Sequence, residues 1–327
     1  MLVLSRREVE ELLDVGALID ALADAMADLS AGRAAAPNRV GAVVEDCDGL
    51  LVAMPGYTPS TGSLVSKLVT LFPRNAGTVL PTHQAVIAVF DPTNGRPVAL
   101  LDGTAITALR TGAGSALATR LLARDDASTL AILGTGVQAR AHAAAVTRVR
   151  NFDELRTAGR DRDKADALAG ELAVQLDVPV GSMHSWEAAC DGADVVCATT
   201  HALEPVVRRQ WLDDGTHVTS VGFNPQGREV DDATVADALV AVESRAAALA
   251  PPPAGSNDLV GPLERGLVQA DAIVEVGELV EGKRPGRTTA DELTLYKSVG
   301  VAVQDGAAAT LVLQAAREQG AGHEVDL

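Results

Sequence analysis

Aromatic side chains are nearly missing from this chain, with two tryptophans, two tyrosines and four phenylalanines in 327 residues. A platform that stacks bases on rings needs more. Positive charge is also short: 27 Lys and Arg face 44 Asp and Glu, a formal net charge of −17. Nucleic acid and anionic membranes both require a basic face, so neither is expected as a partner. No apolar run approaches the ~18 residues of a membrane span. Arg6, Arg7, Glu8 and Glu10 bring charge too early and too densely for a secretory signal. The three cysteines, Cys47, Cys190 and Cys197, are odd in number and lack CxxC spacing. They read as reduced residues of a cytoplasmic protein, not as a disulfide frame or a zinc site. There is no Walker A, HExxH or GxSxG motif, and no metal is expected. The length allows two domains of ordinary size with a substantial core.

Small residues are plentiful, and their placement around residue 134 organises the rest. Residues 130–133 read as a short buried parallel strand. Gly134-Thr135-Gly136-Val137-Gln138-Ala139 follows at once, and an alanine-rich helical pattern continues to Val146. In a GxGxxA turn the first glycine permits the tight turn and the second lets backbone approach a pyrophosphate. The alanine allows the helix to pack closely on the strand. The helix N-terminus then offers free N–H groups and its positive dipole end to the phosphates. The motif alone arises by chance in a chain of this composition; the strand before it and the helix after it carry the reading. Residues 134–139 are therefore expected to bind a dinucleotide.

The next strand, 155–158, ends in Gly159-Arg160-Asp161-Arg162. An acid about 20 residues past the fingerprint would hold the ribose 2′-hydroxyl of NAD. Counted from Ala139, that position falls on Gly159. A glycine leaves room for a 2′-phosphate, which Arg160 and Arg162 could grip through paired N–H bonds. NADP(H) is favoured on this count. NAD(H) stays open, because a shift of one residue brings in Asp161, and both arginines also fit as solvated loop charges.

Residues 2–4 read as a short strand, Ser5 and Glu8 as a capping box, and 15–29 as an amphipathic helix. Apolar runs at 40–44, 50–54, 64–72, 85–90 and 97–101 alternate with turn signals such as Pro55-Gly56, which predicts an antiparallel β region. A small-residue helix is expected over 104–123, with further strands at 193–199, 218–221 and 239–242. Pro251-Pro-Pro-Ala-Gly255 reads as a surface loop. A last helical pattern runs after Asp291 through Val299 to Arg317. The expected fold is α/β, a Rossmann dinucleotide-binding domain over 114–294 inserted into a β-rich substrate and dimerisation lobe made of 1–113 and 295–327.

The β lobe carries the substrate clues. Period-two alternation over 65–71 places Lys67 on the face of Val65, Val69 and Leu71. It is either a gatekeeper on an exposed sheet edge or a cation aimed into a pocket. Arg110 lies among Ile106, Leu109 and Ala113 on an otherwise uncharged helix, where an unpaired buried guanidinium is very costly. Its partner is a structural carboxylate such as Asp102 or a substrate carboxylate. Arg39 is a third cation, and His83, after Thr82, is a candidate proton donor. A plain surface charge and a structural histidine are the alternatives for these two.

Several stretches are distinctive in combination and in order: Leu64-Val-Ser-Lys-Leu68, Leu80-Pro-Thr-His-Gln84, Val89-Phe-Asp-Pro-Thr-Asn-Gly95, Leu101-Asp-Gly-Thr104, Leu109-Arg-Thr-Gly-Ala113 and the 134–139 fingerprint. Gly215-Thr-His-Val218, Gly282-Lys-Arg-Pro-Gly-Arg287 and Leu295-Tyr-Lys-Ser-Val-Gly300, with Asp305 beyond, complete them. Together they resemble the ornithine cyclodeaminase/mu-crystallin family over nearly the full length. The resemblance implies a β-rich lobe that pairs between two subunits into a closed barrel, hence a homodimer. It implies that Arg39, Lys67 and Arg110 surround the carboxylate of a small amino or imino acid, with Thr82 near them. It also places the Lys297-Ser298-Val299 segment beside the nicotinamide, and Thr199 joins Ser298 and Val299 in the expected cofactor set.

One departure bears on the chemistry. Family members that cyclise ornithine carry an aspartate shortly after a Val-Gly-Gly sequence; here Ser220-Val-Gly-Phe-Asn-Pro-Gln-Gly-Arg228 puts Asn224 there. An asparagine can hydrogen-bond but cannot act as a carboxylate base or pair with an ammonium. The favoured function is therefore reduction of a small, cyclic or open α-imino acid, such as pyrroline- or piperideine-2-carboxylate. Its carboxylate would be held by Lys67 and Arg110, a hydride would come from NADPH, and a proton from water, Thr82 or His83. Ornithine cyclodeamination, alanine-dehydrogenase-like amination and non-catalytic binding of NADPH and a small ligand are the alternatives.

Overall fold

A computed structural model describes every residue except Pro225, Pro252, Pro253 and Leu327. Part of the expected loop at 251–255 thus lies outside the described residues. The chain divides into two compact units, Met1–Arg110 with Val301–Leu327, and Thr111–Gly300. The α/β architecture with a doubly wound parallel sheet and a second β-rich lobe is as expected.

The first unit is built on strands β1 (Leu2–Leu4), β2 (Val40–Val44), β3 (Gly49–Thr58), β4 (Ser63–Leu71), β5 (His83–Phe90) and β6 (Pro97–Asp102). With the short terminal strand His323–Glu324 they form a seven-stranded sheet, in the order His323–Glu324, β1, β6, β5, β4, β3, β2. All neighbours are antiparallel except β1 with β6. Alternation along β3 to β5 turns Val52, Met54, Val69 and Ala85 to one face, where they pack with Ala302. The helix Ala302–Gln319 lies hard on this face because small residues line the contact. A Cβ at Gly56 would sit 2.8 Å from the Ala302 Cβ, and one at Gly306 would sit 2.5 Å from Ser63 Oγ. The helix Val15–Ser30, capped by Asp14, packs beside it. The Ser5/Glu8 capping box forms as expected.

The second unit holds β7 (Thr129–Leu133), β8 (Glu154–Ala158), β9 (Val180–Ser182), β10 (Val195–Ala198), β11 (His217–Ser220), β12 (Leu239–Val242), β13 (Val274–Glu275) and β14 (Thr294–Lys297). They form an eight-stranded sheet in the order β13, β12, β14, β11, β10, β7, β8, β9, parallel throughout. Strands buried on both faces show continuous apolar runs rather than alternation, which is why β7 and β10 read so clearly. It is also why β14 shows no alternation: the expected helix after Asp291 begins only at Ala302, and Thr294–Lys297 is a fully buried strand.

Candidate active site

The parallel sheet ends in a single row. Leu133 pairs in register with Ala158 and Ala198, Ala198 with Ser220, Ser220 with Lys297, and Lys297 with Val242. The residues that follow, Gly134, Gly159, Thr199, Val221, Ser298 and Glu243, therefore lie along one carboxyl edge, where open α/β sheets bind ligands. The strand order reverses between β7 and β10, and the fingerprint turn stands at that switch point.

Gly134 has φ +120°, a region that favours glycine, and a Cβ there would lie 2.6 Å from Thr199 Oγ1. Thr199 is thus packed over the turn, donating its hydroxyl to the Leu133 carbonyl at 2.9 Å. Gly136 caps the helix Val137–Val146 without a side-chain acceptor, and a Cβ there would meet nothing within 4 Å. The first N–H groups of that helix are therefore open to an anion. Val137 is exposed and Ala139 is buried against the strand. Gln138 Oε1 is buried with no hydrogen-bond partner among the described residues. Arg140 braces the turn, donating to the carbonyls of Thr135 and Gly136 and to Glu171. These features fit a dinucleotide pyrophosphate.

At the end of β8, a Cβ on Gly159 would lie 2.7 Å from Thr135 Cγ2, so the position has little room for a side chain. Arg160 and Arg162 are exposed, and Arg162 pairs with Asp166 at 3.0 Å. Asp161 is committed to capping the helix Arg162–Gln175, accepting from Lys164 N at 3.3 Å.

Further along the same edge lies a buried ionic cluster that the sequence did not announce. Glu229 accepts from Thr200 N, from Thr200 Oγ1 at 2.7 Å, from Ser220 Oγ at 2.8 Å and from Gly222 N at 2.7 Å. Lys297, 1% exposed, donates to Ser220 Oγ and the Gly222 carbonyl, both at 2.9 Å. Its Nζ is 2.9 Å from Asp258 Oδ2 and 4.0 Å from Glu229 Oε2. Asp258 in turn accepts the backbone N–H groups of Glu229 and Val230 at 2.8 and 2.9 Å. Glu243, also buried, accepts from Ser298 Oγ and from the N–H groups of Gly300 and Val299 at 3.1 and 3.2 Å. This holds the Ser298–Val299 segment that the family resemblance placed beside the nicotinamide.

Asn224 does not present its amide outward. Nδ2 donates to the His201 carbonyl at 3.1 Å and Oδ1 accepts from Gln226 N at 2.9 Å, so one end of the side chain ties it to the loop after β10 and the other holds its own loop.

The first unit carries a separate constellation. Lys67 is 2% exposed on the inner face of β4, which lies between β3 and β5 and not at a sheet edge. Its ammonium donates to Asp305 Oδ1 at 3.0 Å and lies 2.8 Å from Oδ2 as an ion pair, Oδ2 accepting no hydrogen bond among the described residues. Arg110 donates through Nε to Asp305 Oδ1 and through Nη1 to Gln304 Oε1, both at 3.1 Å. Asp305 and Gln304 stand in the first turn of the Ala302–Gln319 helix, where a carboxylate also complements the dipole. Asp102, the structural partner considered for Arg110, instead caps its own helix, accepting from Ala105 N at 2.7 Å. Eight residues of helix, roughly 12 Å, separate the cap from Arg110.

Burial pushes the Lys67 ammonium down from 10.5 to about 8; Asp305 opposes the shift, and the nearby positive charges of Arg110 and Arg39 add to it. Cations thus outnumber anions in this cluster. Lys67 has three N–H donors and Asp305 takes one of them, through Oδ1. The bonds of Arg110 use Nε and Nη1, leaving Nη2 without a partner among the described residues. Those remaining donors suit an incoming carboxylate. His83 pairs with Leu71 and Ile87 with Lys67, so His83 shares the face of Lys67 but stands four residues, roughly 14 Å, along the sheet. Thr82 is exposed beyond the start of β5, its carbonyl accepting from Phe72 N.

Cys190, Cys197 and His142 are sealed in the core of the second unit. Burial pushes the Cys190 and Cys197 thiols up to about 12. His142 is held down to about 4 by burial and pairs with Ser115 at 2.9 Å, with no acid behind it. Among the described residues no cluster of three His, Cys, Asp or Glu side chains is placed to hold a metal.

The model of the ornithine cyclodeaminase/mu-crystallin family matches residues 1–320. Ketimine reductase mu-crystallin of Mus musculus is 39% identical over 277 residues, 84% of this chain and 83% of that protein. Delta(1)-pyrroline-2-carboxylate reductase of Bacillus cereus is 35% identical over the whole of both chains. Among solved structures, Delta(1)-pyrroline-2-carboxylate reductase of Thermococcus litoralis, in complex with NADH and L-proline, superposes with a TM-score of 0.94. It is 36% identical, with 99% of this chain and all of that chain covered. An archaeal alanine dehydrogenase dimer with bound NAD gives 0.92 at 28% identity, covering 100% and 99%. With the fingerprint, the buried cations of the first unit and these matches along its length, the chain belongs to the ornithine cyclodeaminase/mu-crystallin family.

Proposed function

We propose that the protein is a nicotinamide-dependent reductase of small α-imino acids, of the size of pyrroline- or piperideine-2-carboxylate, yielding the corresponding amino acid. The observation that carries this is the buried Lys67–Arg110–Asp305 cluster, in which two cations share one carboxylate and keep donors in reserve. The substrate carboxylate takes a remaining N–H of Lys67 and Nη2 of Arg110, with Arg39 adding positive charge. That fixes the ring and leaves the imine carbon as the free electrophile. The reduced nicotinamide supplies the hydride when bound. Gly134 to Ala139 hold its pyrophosphate, and Thr199, Ser298 and Val299 border its nicotinamide half. The imine nitrogen takes its proton from water, since Thr82 and His83 stand away from Lys67. Asn224, with both ends of its amide engaged, offers no base for deamination, which disfavours ornithine cyclisation.

Three finer assignments go with this reading. NADP(H) is preferred over NAD(H): Gly159 leaves the 2′ position without an acid, Asp161 is spent on its helix, and Arg160 and Arg162 are at hand for a phosphate. A homodimer forms through the outer face of the first sheet, where Leu51, Leu68, Val86 and the edge residues Val40 and Val43 leave apolar surface open. The protein works in the cytoplasm, where its cysteines stay reduced.

The test is loss of reduced-nicotinamide absorbance with pyrroline-2-carboxylate, run with NADPH and NADH. Oxidation matched by proline formation supports the proposal. Ammonia release from ornithine, or cofactor binding without turnover on either substrate, overturns it.

A further inference from the structure

We infer that Glu229 is the positioning residue of the nicotinamide half-site, welding the loops after β10 and β11 to the end of β14. This rests on the dinucleotide reading and goes beyond it, because no step of the reaction itself calls on Glu229. The parallel sheet has two halves about its switch point; the fingerprint turn and Gly159 serve the adenosine side, so the ends of β10, β11 and β14 are left for the nicotinamide side. One carboxylate joins them. Its Oε1 takes both donors of Thr200, after β10. Its Oε2 takes Ser220 Oγ at the end of β11 and Gly222 N just beyond it. The same Ser220 hydroxyl accepts from Lys297, the last residue of β14.

Space confirms how tightly this is set. A Cβ on Gly222 would lie 2.2 Å from the Thr200 carbonyl and 2.3 Å from the Glu229 carboxyl carbon, so only glycine lets the two loops close on the glutamate. The backbone of Glu229 is fixed in turn by Asp258, which also neutralises Lys297. The cluster is buried and its donors and acceptors meet one another, so it holds loops in place instead of waiting for a ligand. Glutamine at 229 keeps the shape but puts an NH2 where one oxygen was. In either orientation of the amide a backbone N–H, of Thr200 or of Gly222, then faces another donor.

The experiment compares the intact dinucleotide with its fragment lacking nicotinamide, NADPH against 2′,5′-ADP and NADH against ADP-ribose, by titration calorimetry on wild type, Glu229→Gln and Glu229→Asp. The expected result is a Kd for the dinucleotide about tenfold weaker in Glu229→Gln, with the fragment changed less than about twofold. Glu229→Asp, which keeps the charge, should recover part of the loss. Val235→Ala, a core truncation in the same unit, serves as the stability control and should not separate the two ligands. If Glu229→Gln does not fold, Ser220→Ala removes the bridge between Glu229 and Lys297 and is held to the same pattern. Equal weakening of dinucleotide and fragment, or no weakening of either, overturns the inference. Failure of the wild type to bind any of the four ligands overturns the dinucleotide reading instead.

Discussion

Replacing Lys67 with methionine separates what the clamp does for the fold from what it does for the substrate. Methionine keeps the length and approximate volume of the side chain and removes the charge. In the wild type the ammonium titrates at about 8 instead of 10.5. A shift of this size corresponds to about 3 kcal/mol by which the folded state disfavours the charged form. The folded value lies below the unfolded one, so between the two the unfolded chain binds more protons. Wild-type stability therefore rises with pH across that window, by about 2.5 kcal/mol on reaching pH ~10. Lys67→Met lacks this rise. It still leaves Asp305 paired with Arg110 at 3.1 Å, so no lone charge is stranded. At neutral pH its stability should match or exceed that of the wild type, by up to about 3 kcal/mol.

Binding moves the other way. One charge-assisted hydrogen bond to the substrate carboxylate is worth about 1.5–3 kcal/mol, so kcat/KM for the imino acid should fall about 10- to 150-fold. The assay is urea denaturation of both proteins at a series of pH values, with the difference plotted against pH, beside steady-state kinetics. A difference that stays flat from neutral to alkaline pH refutes the account of Lys67. So does a variant that loses several kcal/mol at neutral pH, because the ammonium would then be an ion the fold depends on.

Arg160→Ala should weaken NADPH about three- to tenfold in KM and leave NADH unchanged, the range being modest because the guanidinium is exposed; equal effects on the two cofactors would remove the case for a 2′-phosphate contact. Gly134→Ala forces a side chain into φ +120° and to 2.6 Å from Thr199 Oγ1, so dinucleotide affinity should drop by at least about tenfold in calorimetry. Asn224→Asp sets a carboxylate against the His201 carbonyl that the amide now donates to, which should turn the side chain out of its loop. Ammonia release from ornithine is then the quantity to follow, and its absence would show that the residue at 224 does not decide between reduction and cyclisation.

What the sequence made legible was local. The fingerprint, the capping box at Ser5 and Glu8, and the alternation in β4 are each written within a dozen consecutive residues. The side of β4 that Lys67 takes follows from period two alone. Its partner does not, because Asp305 is 238 residues away along the chain and is brought in by a helix. The same holds for Glu229, Asp258 and Lys297, whose mutual contacts depend on the order of strands in the sheet. A signal for them did exist. Lys297 ends Thr294-Leu-Tyr-Lys, and a lysine closing a run buried on both faces demands an acid. The run merges with the helical pattern that follows it, since double-sided burial erases the alternation that marks a strand. Asp102 was the nearest acid to Arg110 in sequence, and the need to cap a helix claimed it first.

A chain of net charge −17 that takes an anionic substrate needs a local answer to a global repulsion. Surface carboxylates are screened beyond about 8 Å at physiological salt, whereas groups in a buried cluster are screened far less. Lys67 and Arg110 are nearly inaccessible, and each keeps a donor that Asp305 and Gln304 have not consumed. The proposed clamp answers with short, desolvated hydrogen bonds, not with steering from a distance. Asp305 makes this workable: without its charge, two buried cations would face each other unneutralised. With it, the cluster is still short of one anion, and a planar carboxylate has the geometry to supply it.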